Sequence, residues 1–468
     1  YAVIGYTGVS SNIIIPSTYQ GKPVTEVGSR ATPSENKPAF DCGNATDITI
    51  PNSVTKINNK AFCGSSSSPG TLRSITFEEN SQLKTIGNYA FYYCKTLNNI
   101  EMPSQLTSIG SYAFAYSGLT GKITIPEKIT AINDRVFQSC TNLTGINIPG
   151  TVKTIYDYAF SSCTSLEEVT IQSGVTTIKG FAFWSCTSLE SITIPSSVTT
   201  IEEHAFWVCS KLTSVTILSN LKSINIGTFS GCTSLKEVSI LGNVTTIEAM
   251  AFQNCKSLTN FTIPQSVTAI KNNAFQGCRS LTSIEIPKNV TSIGAQAFMD
   301  CTSLKTVSIL GDVTTIGEKA FRNISSGSTI YVPNGTVKDK FNSTNYLYVD
   351  TTITVGSAPN MLLASLPEPS SAVLSNDAIT DEATAENPLE RNTEENAEGI
   401  REENDTQEPN VEQISEPEPD AEQTAESESK TDESNTKKSV TKVDVALPNT
   451  TDKEETYMSD QPEDEGTD

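Results

Sequence analysis

Phenylalanine recurs along this chain at a fixed spacing of 23 residues. The series runs through Phe91, Phe114, Phe137, Phe160, Phe183, Phe206, Phe229, Phe252, Phe275, Phe298 and Phe321, and Phe40 and Phe62 extend it upstream. A period in this range is typical of repeat proteins, in which a single repeat cannot bury its own apolar face. Because stacked copies can bury a continuous core, the chain is expected to form one array rather than several separate domains.

Each repeat contains two strand patterns and one turn-like segment, as the copy CTSLESITIPSSVTTIEEHAFWV illustrates. Ile192 and Ile194 alternate about Thr193, which predicts a strand with one buried face. Pro195 ends that strand because it lacks the amide hydrogen that a ladder needs. VTTI predicts a second short strand, and EEHAFWVC has the composition of one or two helical turns. The predicted fold class is a repeat solenoid of about 13 coils built from short strands and short helical turns.

The unit L-x-x-I-x-I-P-x-x-V-x-x-I-x-x-x-A-F-x-x-C resembles the BspA-like group of leucine-rich repeat proteins. The segment IIIPSTYQGKPVTEVG is similar to the opening repeat of that group, and STIYVPNGTVKDKF is similar to its closing repeat. The resemblance implies a right-handed leucine-rich-repeat superhelix with short parallel β-strands over residues 1–350, an atypical first repeat near residues 1–40 and an exit cap near 322–350. Leu218, Leu241 and Leu310 replace the proline, and we expect them to loosen the pattern only locally.

The charge of the chain is concentrated in its last quarter. Residues 351–468 hold 31 acidic and seven basic side chains, a net charge of −24, whereas residues 1–350 carry a net +2. The acidic segment has no Phe or Trp and cannot bury enough apolar area to offset chain entropy, so it is predicted to be a disordered acidic tail. The nearly neutral repeat region has no basic runs, which argues against nucleic acid as a partner. No apolar run approaches the roughly 18 residues that membrane insertion requires.

The cysteines follow the repeat. Nine of the eleven lie three residues after a repeat phenylalanine: Cys94, Cys140, Cys163, Cys186, Cys209, Cys232, Cys255, Cys278 and Cys301. Residues three apart share a face of a helical turn, so these thiols are expected to point into the core as small apolar groups. One thiol per coil and an odd total do not resemble a secreted disulfide framework, and we expect most thiols to be free.

Nothing in the sequence predicts an enzyme. Cys209 and the only histidine, His204, lie five residues apart, on different faces of a helical turn, and cysteine fills the same position in eight other coils. No Cys or His pair has the spacing of zinc ligands, and no phosphate-binding glycine motif is present. We therefore expect no catalytic residues, no metal and no cofactor.

Aromatic residues form two further columns. One lies two residues before the repeat phenylalanine (Tyr89, Tyr112, Tyr158, Phe181, His204) and the other one residue after it (Tyr92, Trp184, Trp207). On a helical turn both columns would point away from the core. The candidate ligand-binding patch is Tyr158, Phe181, Trp184, His204 and Trp207, spread over three adjacent coils. Exposed aromatic clusters are typical binding hot spots, but the same rings could instead fill gaps between neighbouring turns, and the sequence leaves both readings open.

The function expected from the resemblance is recognition rather than catalysis. It implies a microbial cell-surface or secreted adhesin-type protein that binds proteins or glycans on host cells or matrix, although the sequence shows neither a signal nor an anchor. The chain is expected to be a monomer. An intracellular protein-interaction scaffold is the alternative, favoured by free thiols, with the acidic tail as a solubilising or docking segment.

Overall fold

The computed structural model describes residues 1–5, 10–29, 40, 45–341, 345 and 347–357. Within these ranges the chain winds into a parallel β-solenoid of about 14 turns, which confirms the predicted fold class. The acidic tail was predicted to be disordered. From residue 358 onward it lies outside the described part of the chain.

One side of the solenoid is a ladder of parallel strands, most of them four residues long, with one strand in every turn except the turn that contains Phe261. Its members are β2 (Asn12–Ile14), β6 (Asp47–Ile50), β8 (Ser74–Phe77), β10 (Asn99–Ile100), β12 (Gly121–Thr124), β14 (Leu143–Ile148), β16 (Glu168–Ile171), β18 (Ser191–Ile194), β20 (Ser214–Ile217), β22 (Glu237–Ile240), β25 (Ser283–Ile286), β27 (Thr306–Ile309), β29 (Thr329–Val332) and β30 (Thr352–Val355).

A second side carries a ladder of two-residue strands. These are β1 (Ala2–Val3), β5 (Glu26–Val27), β7 (Lys56–Ile57), β9 (Thr85–Ile86), β11 (Ser108–Ile109), β13 (Ala131–Ile132), β15 (Thr154–Ile155), β17 (Thr177–Ile178), β19 (Thr200–Ile201), β21 (Ser223–Ile224), β23 (Thr246–Ile247), β24 (Ala269–Ile270), β26 (Ser292–Ile293) and β28 (Thr315–Ile316).

Two elements at the ends depart from this pattern. An antiparallel hairpin joins β3 (Thr18–Tyr19) to β4 (Lys22–Pro23), and helix α1 covers Gly335–Lys338. The Asn334 side chain caps α1 by accepting a hydrogen bond from the Val337 amide. No helix within the described ranges is long and apolar enough to cross a bilayer.

The strands form where the sequence alternates. Ile192 and Ile194 are buried and Thr193 is exposed, as the period-2 pattern predicts. Where β18 and β20 pair, residues in the same position of successive repeats lie side by side, so Thr193 lies beside Thr216. The parallel ladder continues to β30, and all four residues of this strand lie beyond residue 350, where the repeat region was expected to end.

The repeat phenylalanines form one continuous stack through the core. From Phe62 to Phe321 successive rings are nearly parallel and their centroids lie 5.0–5.7 Å apart. Phe341, just after α1, closes the stack by packing at 5.7 Å against Phe321. The period seen in the sequence is therefore the spacing of a buried aromatic column.

The cysteines lie beside this stack, as predicted. Eight buried residues from Cys140 to Cys301 are free thiols, and each donates a hydrogen bond to the carbonyl of a repeat phenylalanine in the preceding coil. Cys163, for example, lies 3.1 Å from the Phe137 oxygen. Burial raises the pKa of Cys140 to about 12, so this thiol stays protonated and inert at neutral pH.

The turn segment, from two residues before to three residues after the repeat phenylalanine, differs from the helical turn that its composition predicts. In every coil from Phe91 to Phe321, the residue two positions before the phenylalanine and the residue two positions after it have positive φ. His204 (56°) and Val208 (60°), around Phe206, are an example. The amides of His204 and Phe206 donate to carbonyls of the next coil, whereas the Trp207 amide closes a turn onto the His204 carbonyl. A helix would use all these amides internally, and the coils would then lose their bonds to one another.

The leucines that replace the proline do not loosen the ladder. The amides of Leu218, Leu241 and Leu310 each donate to the preceding coil at 3.0 Å, a bond that proline cannot make. The side chains of Leu218 and Leu241 are exposed. Replacing proline by leucine therefore adds one backbone hydrogen bond between coils, but at Leu218 and Leu241 it leaves an apolar side chain in contact with water.

We expect Phe206→Ala to lower the free energy of unfolding by about 3–5 kcal/mol, because it removes a fully buried ring and both of its stacking contacts. Urea titration followed by circular dichroism measures the loss. The matched control is Thr193→Ala on the exposed strand face, which should change stability by about 0.5 kcal/mol or less. A loss of similar size in both variants would show that the stack does not hold the core together.

Candidate functional site

The structure brings the five predicted patch residues into one cluster, here called the aromatic ridge (Tyr158, Phe181, Trp184, His204, Trp207). All five are half-buried. In the column before the phenylalanine, Tyr158 stacks on Phe181 at 4.9 Å and Phe181 stacks on His204 at 5.0 Å. In the column after it, Trp184 stacks on Trp207 at 5.7 Å.

The two columns of the ridge also touch each other. Trp184 meets Tyr158 and Phe181 edge-on, with centroids 6.3 and 6.1 Å apart. Trp207 lies 5.1 Å from the His204 ring. Most ring faces of the ridge are therefore covered by a neighbouring ring. A ligand would contact ring edges rather than open faces.

A second aromatic group, the tyrosine cluster, lies earlier along the turn segments and consists of Tyr89, Tyr92, Tyr93, Tyr112 and Tyr116. Tyr89 stacks on Tyr112 at 4.6 Å, and Tyr93 stacks on Tyr116 at 4.5 Å. Tyr92 stands edge-on to all four of these rings. Burial, followed by the neighbouring phenols, raises the pKa of Tyr92 to about 12, so its hydroxyl remains a hydrogen-bond donor at neutral pH.

Sequence reasoning missed this cluster as a unit. It recognised the columns that hold Tyr89, Tyr92 and Tyr112 but not the third column, two residues after the phenylalanine, which adds Tyr93 and Tyr116. That column takes a left-handed backbone conformation and its side chains join the same face. Two tyrosines 23 residues apart were the available signal.

Arg135 joins the tyrosine cluster to the ridge. It occupies the column before the phenylalanine, and its guanidinium carbon lies 5.3 Å from the Tyr112 ring centroid and 4.4 Å from that of Tyr158. Such distances allow a cation–π contact with both rings. The column is thus continuous from Tyr89 to His204, with one cation inside an aromatic stack.

The column ends at Gly227. A Cβ on this residue would lie 2.2 Å from Nδ1 of His204, so the imidazole packs directly against the glycine backbone. Beyond this point, up to Phe321, the columns hold no aromatic residue. Met250 and Met299 are apolar members, and amides pair across coils: Gln253 donates to Gln276 at 2.7 Å, and Asn273 donates to Gln296 at 3.0 Å. One face of the solenoid therefore changes from aromatic to amide-lined at Gly227.

His204 is the titratable member of the ridge. Its Nδ1 is buried and has no hydrogen-bond partner among the described residues. Burial lowers the pKa of His204, and the negative charge of Glu203 opposes that effect without cancelling it. The neutral imidazole is thus the form that fits the stack.

Within the described residues no group of three or more His, Cys, Asp or Glu side chains could hold a metal ion. The only histidine is in the ridge, and Cys209 points into the core, where it donates to the Phe183 carbonyl at 3.3 Å. His204 and Cys209 therefore do not form a catalytic pair, because the first lies at the surface and the second in the interior. From Tyr89 to His204 the turn face offers ring edges, phenol hydroxyls and the guanidinium of Arg135 for contact with a partner.

We expect Gly227→Ala to lower the free energy of unfolding by about 2 kcal/mol, since it adds a methyl group against His204 at a residue with φ of 58°. In a His204→Ala background only the backbone term remains, and the loss should be smaller by about 1 kcal/mol. A double-mutant cycle in urea measures the difference. Equal losses in the two backgrounds would contradict the contact.

We expect the stability of the protein to fall as the pH drops below about 6.5, the ordinary pKa of histidine, toward the lower folded-state pKa of His204. The unfolded chain binds the proton more readily in that range, so acid favours unfolding. Urea midpoints between about pH 7.5 and pH 5.5 measure the effect. His204→Phe keeps a stacking ring but cannot titrate and should show a smaller decline; identical pH profiles would overturn this assignment.

The comparisons with known protein families and with solved structures both identify leucine-rich repeat proteins. The family described as "BspA type Leucine rich repeat region (6 copies)" matches residues 36–167, 130–259 and 245–357. The solenoid is similar to a leucine-rich repeat protein from Bacteroides ovatus, at 27% identity over 76% of this chain and 94% of that chain, with a TM-score of 0.56.

Two further structures are less similar in shape. A leucine rich cell surface protein from Faecalibacterium prausnitzii is 25% identical over 76% of this chain and 90% of its own, with a TM-score of 0.40. A leucine-rich repeat protein from Eubacterium ventriosum is 28% identical over 62% of this chain and 82% of its own, with a TM-score of 0.41. No curated protein sequence matches the chain significantly. The repeat pattern, the solenoid and a family match across residues 36–357 together show that the chain belongs to the BspA-type leucine-rich repeat family.

Proposed function

We propose that this protein is a non-catalytic recognition module of a microbial cell-surface or secreted adhesin, and that the aromatic ridge is its contact site for host or matrix macromolecules. Among such macromolecules we favour proteins over glycans. The module acts as a monomer, because a single solenoid already presents the ridge on one continuous face.

One observation carries the proposal: the fold does not need aromatic residues in these columns. Later coils hold Ser230, Gln253 and Gln276 where the ridge holds Trp184 and Trp207. Their turn segments keep the same left-handed residues and the same inter-coil hydrogen bonds. If the rings only filled gaps, the later coils would need them too. Their concentration in neighbouring coils therefore supports a role in binding.

The architecture favours recognition of a macromolecule. Solenoids expose long continuous surfaces on which many weak contacts can add up. Members of this repeat family are generally non-catalytic, and the surface location is carried over from the family.

Burial removes the main argument for an intracellular scaffold. Free thiols suggest a reducing compartment when they are exposed. Here burial holds the pKa of Cys163 and Cys255 well above the usual value, and both sulfur atoms are inside the stack of coils. Such thiols react slowly with oxidants in any compartment, so they are compatible with an extracellular protein.

The test is binding of the full chain to an array of matrix proteins, mucins and glycans, with the variant Trp184→Ala/Trp207→Ala alongside. We expect the wild type to bind at least one protein on the array and the variant to bind about ten-fold more weakly or worse. The variant should keep the circular dichroism spectrum of the wild type.

The matched control is Gln253→Ala/Gln276→Ala, which truncates the same column in two adjacent coils outside the ridge. It should bind like the wild type. Loss of binding in both variants, or a Trp variant that binds normally, would remove the ridge from the site. Absence of any binding by the wild type would refute the adhesin function itself.

A further inference from the structure

Arg135 is held rigidly at the junction between the tyrosine cluster and the ridge. Its guanidinium lies between the rings of Tyr112 and Tyr158, which belong to the coils before and after it. The side chain is half-buried. A ring of the coil before and a ring of the coil after, with centroids 5.3 and 4.4 Å from the guanidinium carbon, restrict the movement of the planar group.

The N–H donors of the guanidinium have no protein partner in the part of the chain that the structure describes. Within the described residues the Arg135 side chain forms neither a hydrogen bond nor an ion pair. Asp134 precedes it in the chain and the Asp157 carbonyl accepts a hydrogen bond from the Arg135 backbone amide, but neither carboxylate forms an ion pair with the guanidinium. The guanidinium nitrogens of Arg135 do not belong to the buried side-chain atoms that lack a partner, so water reaches them and an anion can replace that water.

We infer that Arg135 is an anion-binding residue that receives the carboxylate of an Asp or Glu side chain on a partner protein. This inference rests on the proposed function and names the chemistry of its partner. The guanidinium matches a carboxylate in plane and can bind it through two parallel hydrogen bonds. Since the two rings already order the side chain, binding costs little additional conformational entropy.

The surroundings favour an acidic peptide segment over a sugar. Pyranose rings usually stack on an open aromatic face, and here Tyr112 and Tyr158 each have a further neighbour on the other face, Tyr89 and Phe181. A carboxylate needs only the edge of the column. A second cation, the Lys95 ammonium, lies 5.4 Å from the Tyr93 ring, so two positive charges border the tyrosine cluster.

The partner surface should therefore combine acidic side chains with apolar ones. The acidic side chains would meet Arg135 and Lys95, and the apolar ones would lie on the ring edges between them. The phenol hydroxyls could bond the peptide backbone. Charge thus selects the partner, while the aromatic edges supply buried area.

The experiment uses the full chain and a fluorescent synthetic peptide in which glutamate and leucine alternate, with a second peptide carrying glutamine in place of glutamate. Fluorescence anisotropy measures binding to the wild type and to Arg135→Gln, Arg135→Lys and Arg279→Gln. Arg279 is exposed and lies in a later coil, so its variant removes the same charge elsewhere.

We expect the wild type to bind the glutamate peptide and not the glutamine peptide. Arg135→Gln should weaken binding about ten-fold or more, Arg135→Lys should be intermediate because it keeps the charge without the planar fork, and Arg279→Gln should leave binding unchanged. Thermal unfolding of each variant checks that the loss does not come from misfolding.

Three results would overturn the inference: no binding of the glutamate peptide, equal binding of both peptides, or equal loss in the Arg135 and Arg279 variants. Binding of a sialylated glycan alone would assign the site to sugars instead of peptides. The proposed function is judged separately, by the protein array and the tryptophan variant. A failure of Arg135 to select carboxylates therefore leaves that result intact.

Discussion

The structure depends on backbone hydrogen bonds between successive coils, most of which join groups 22 to 24 residues apart and place equivalent residues side by side. The rise between parallel strands is about 4.8 Å, and the phenylalanine rings follow it with centroid distances of 5.0–5.7 Å. The same register lets the Thr176 hydroxyl donate to the Lys153 carbonyl, and the Thr199 hydroxyl to the Thr176 carbonyl. Thr, Cys and Phe are thus repeated because each bonds or stacks on the coil before it.

This register has a conformational cost at the turn face. Two residues per coil adopt positive φ, a conformation that costs roughly 1–2 kcal/mol when the residue is not glycine. The inter-coil bonds of the same segment offset that cost. Because the backbone there is fixed by hydrogen bonds to neighbouring coils, side chains on the turn face can vary from tyrosine to glutamine without a change of fold.

Much of the architecture could be predicted because burial has the period of the repeat. The alternation around Thr193 predicted a strand, and the positions of Phe206 and Cys209 predicted the core. The turn conformation could not, since helix-forming residues such as Glu203 and Ala205 suggest a helix while the amide of Phe206 finds its acceptor in Thr228 of another coil. Local propensity does not report a partner one coil away.

The same reasoning explains why the candidate ridge was found and Arg135 was not. Trp184 and Trp207 are the only two tryptophans of the chain and lie 23 residues apart, so the sequence alone indicates that they are neighbours. An isolated arginine looks like a solvated surface charge until the register places it between two rings. In a solenoid the surroundings of a side chain are the residues 23 positions before and after it, so a column has to be read across the coils. When the column is followed across the coils, Arg135 is a cation between two aromatic rings, and its need for an anionic partner constrains the partner more narrowly than the half-buried rings do.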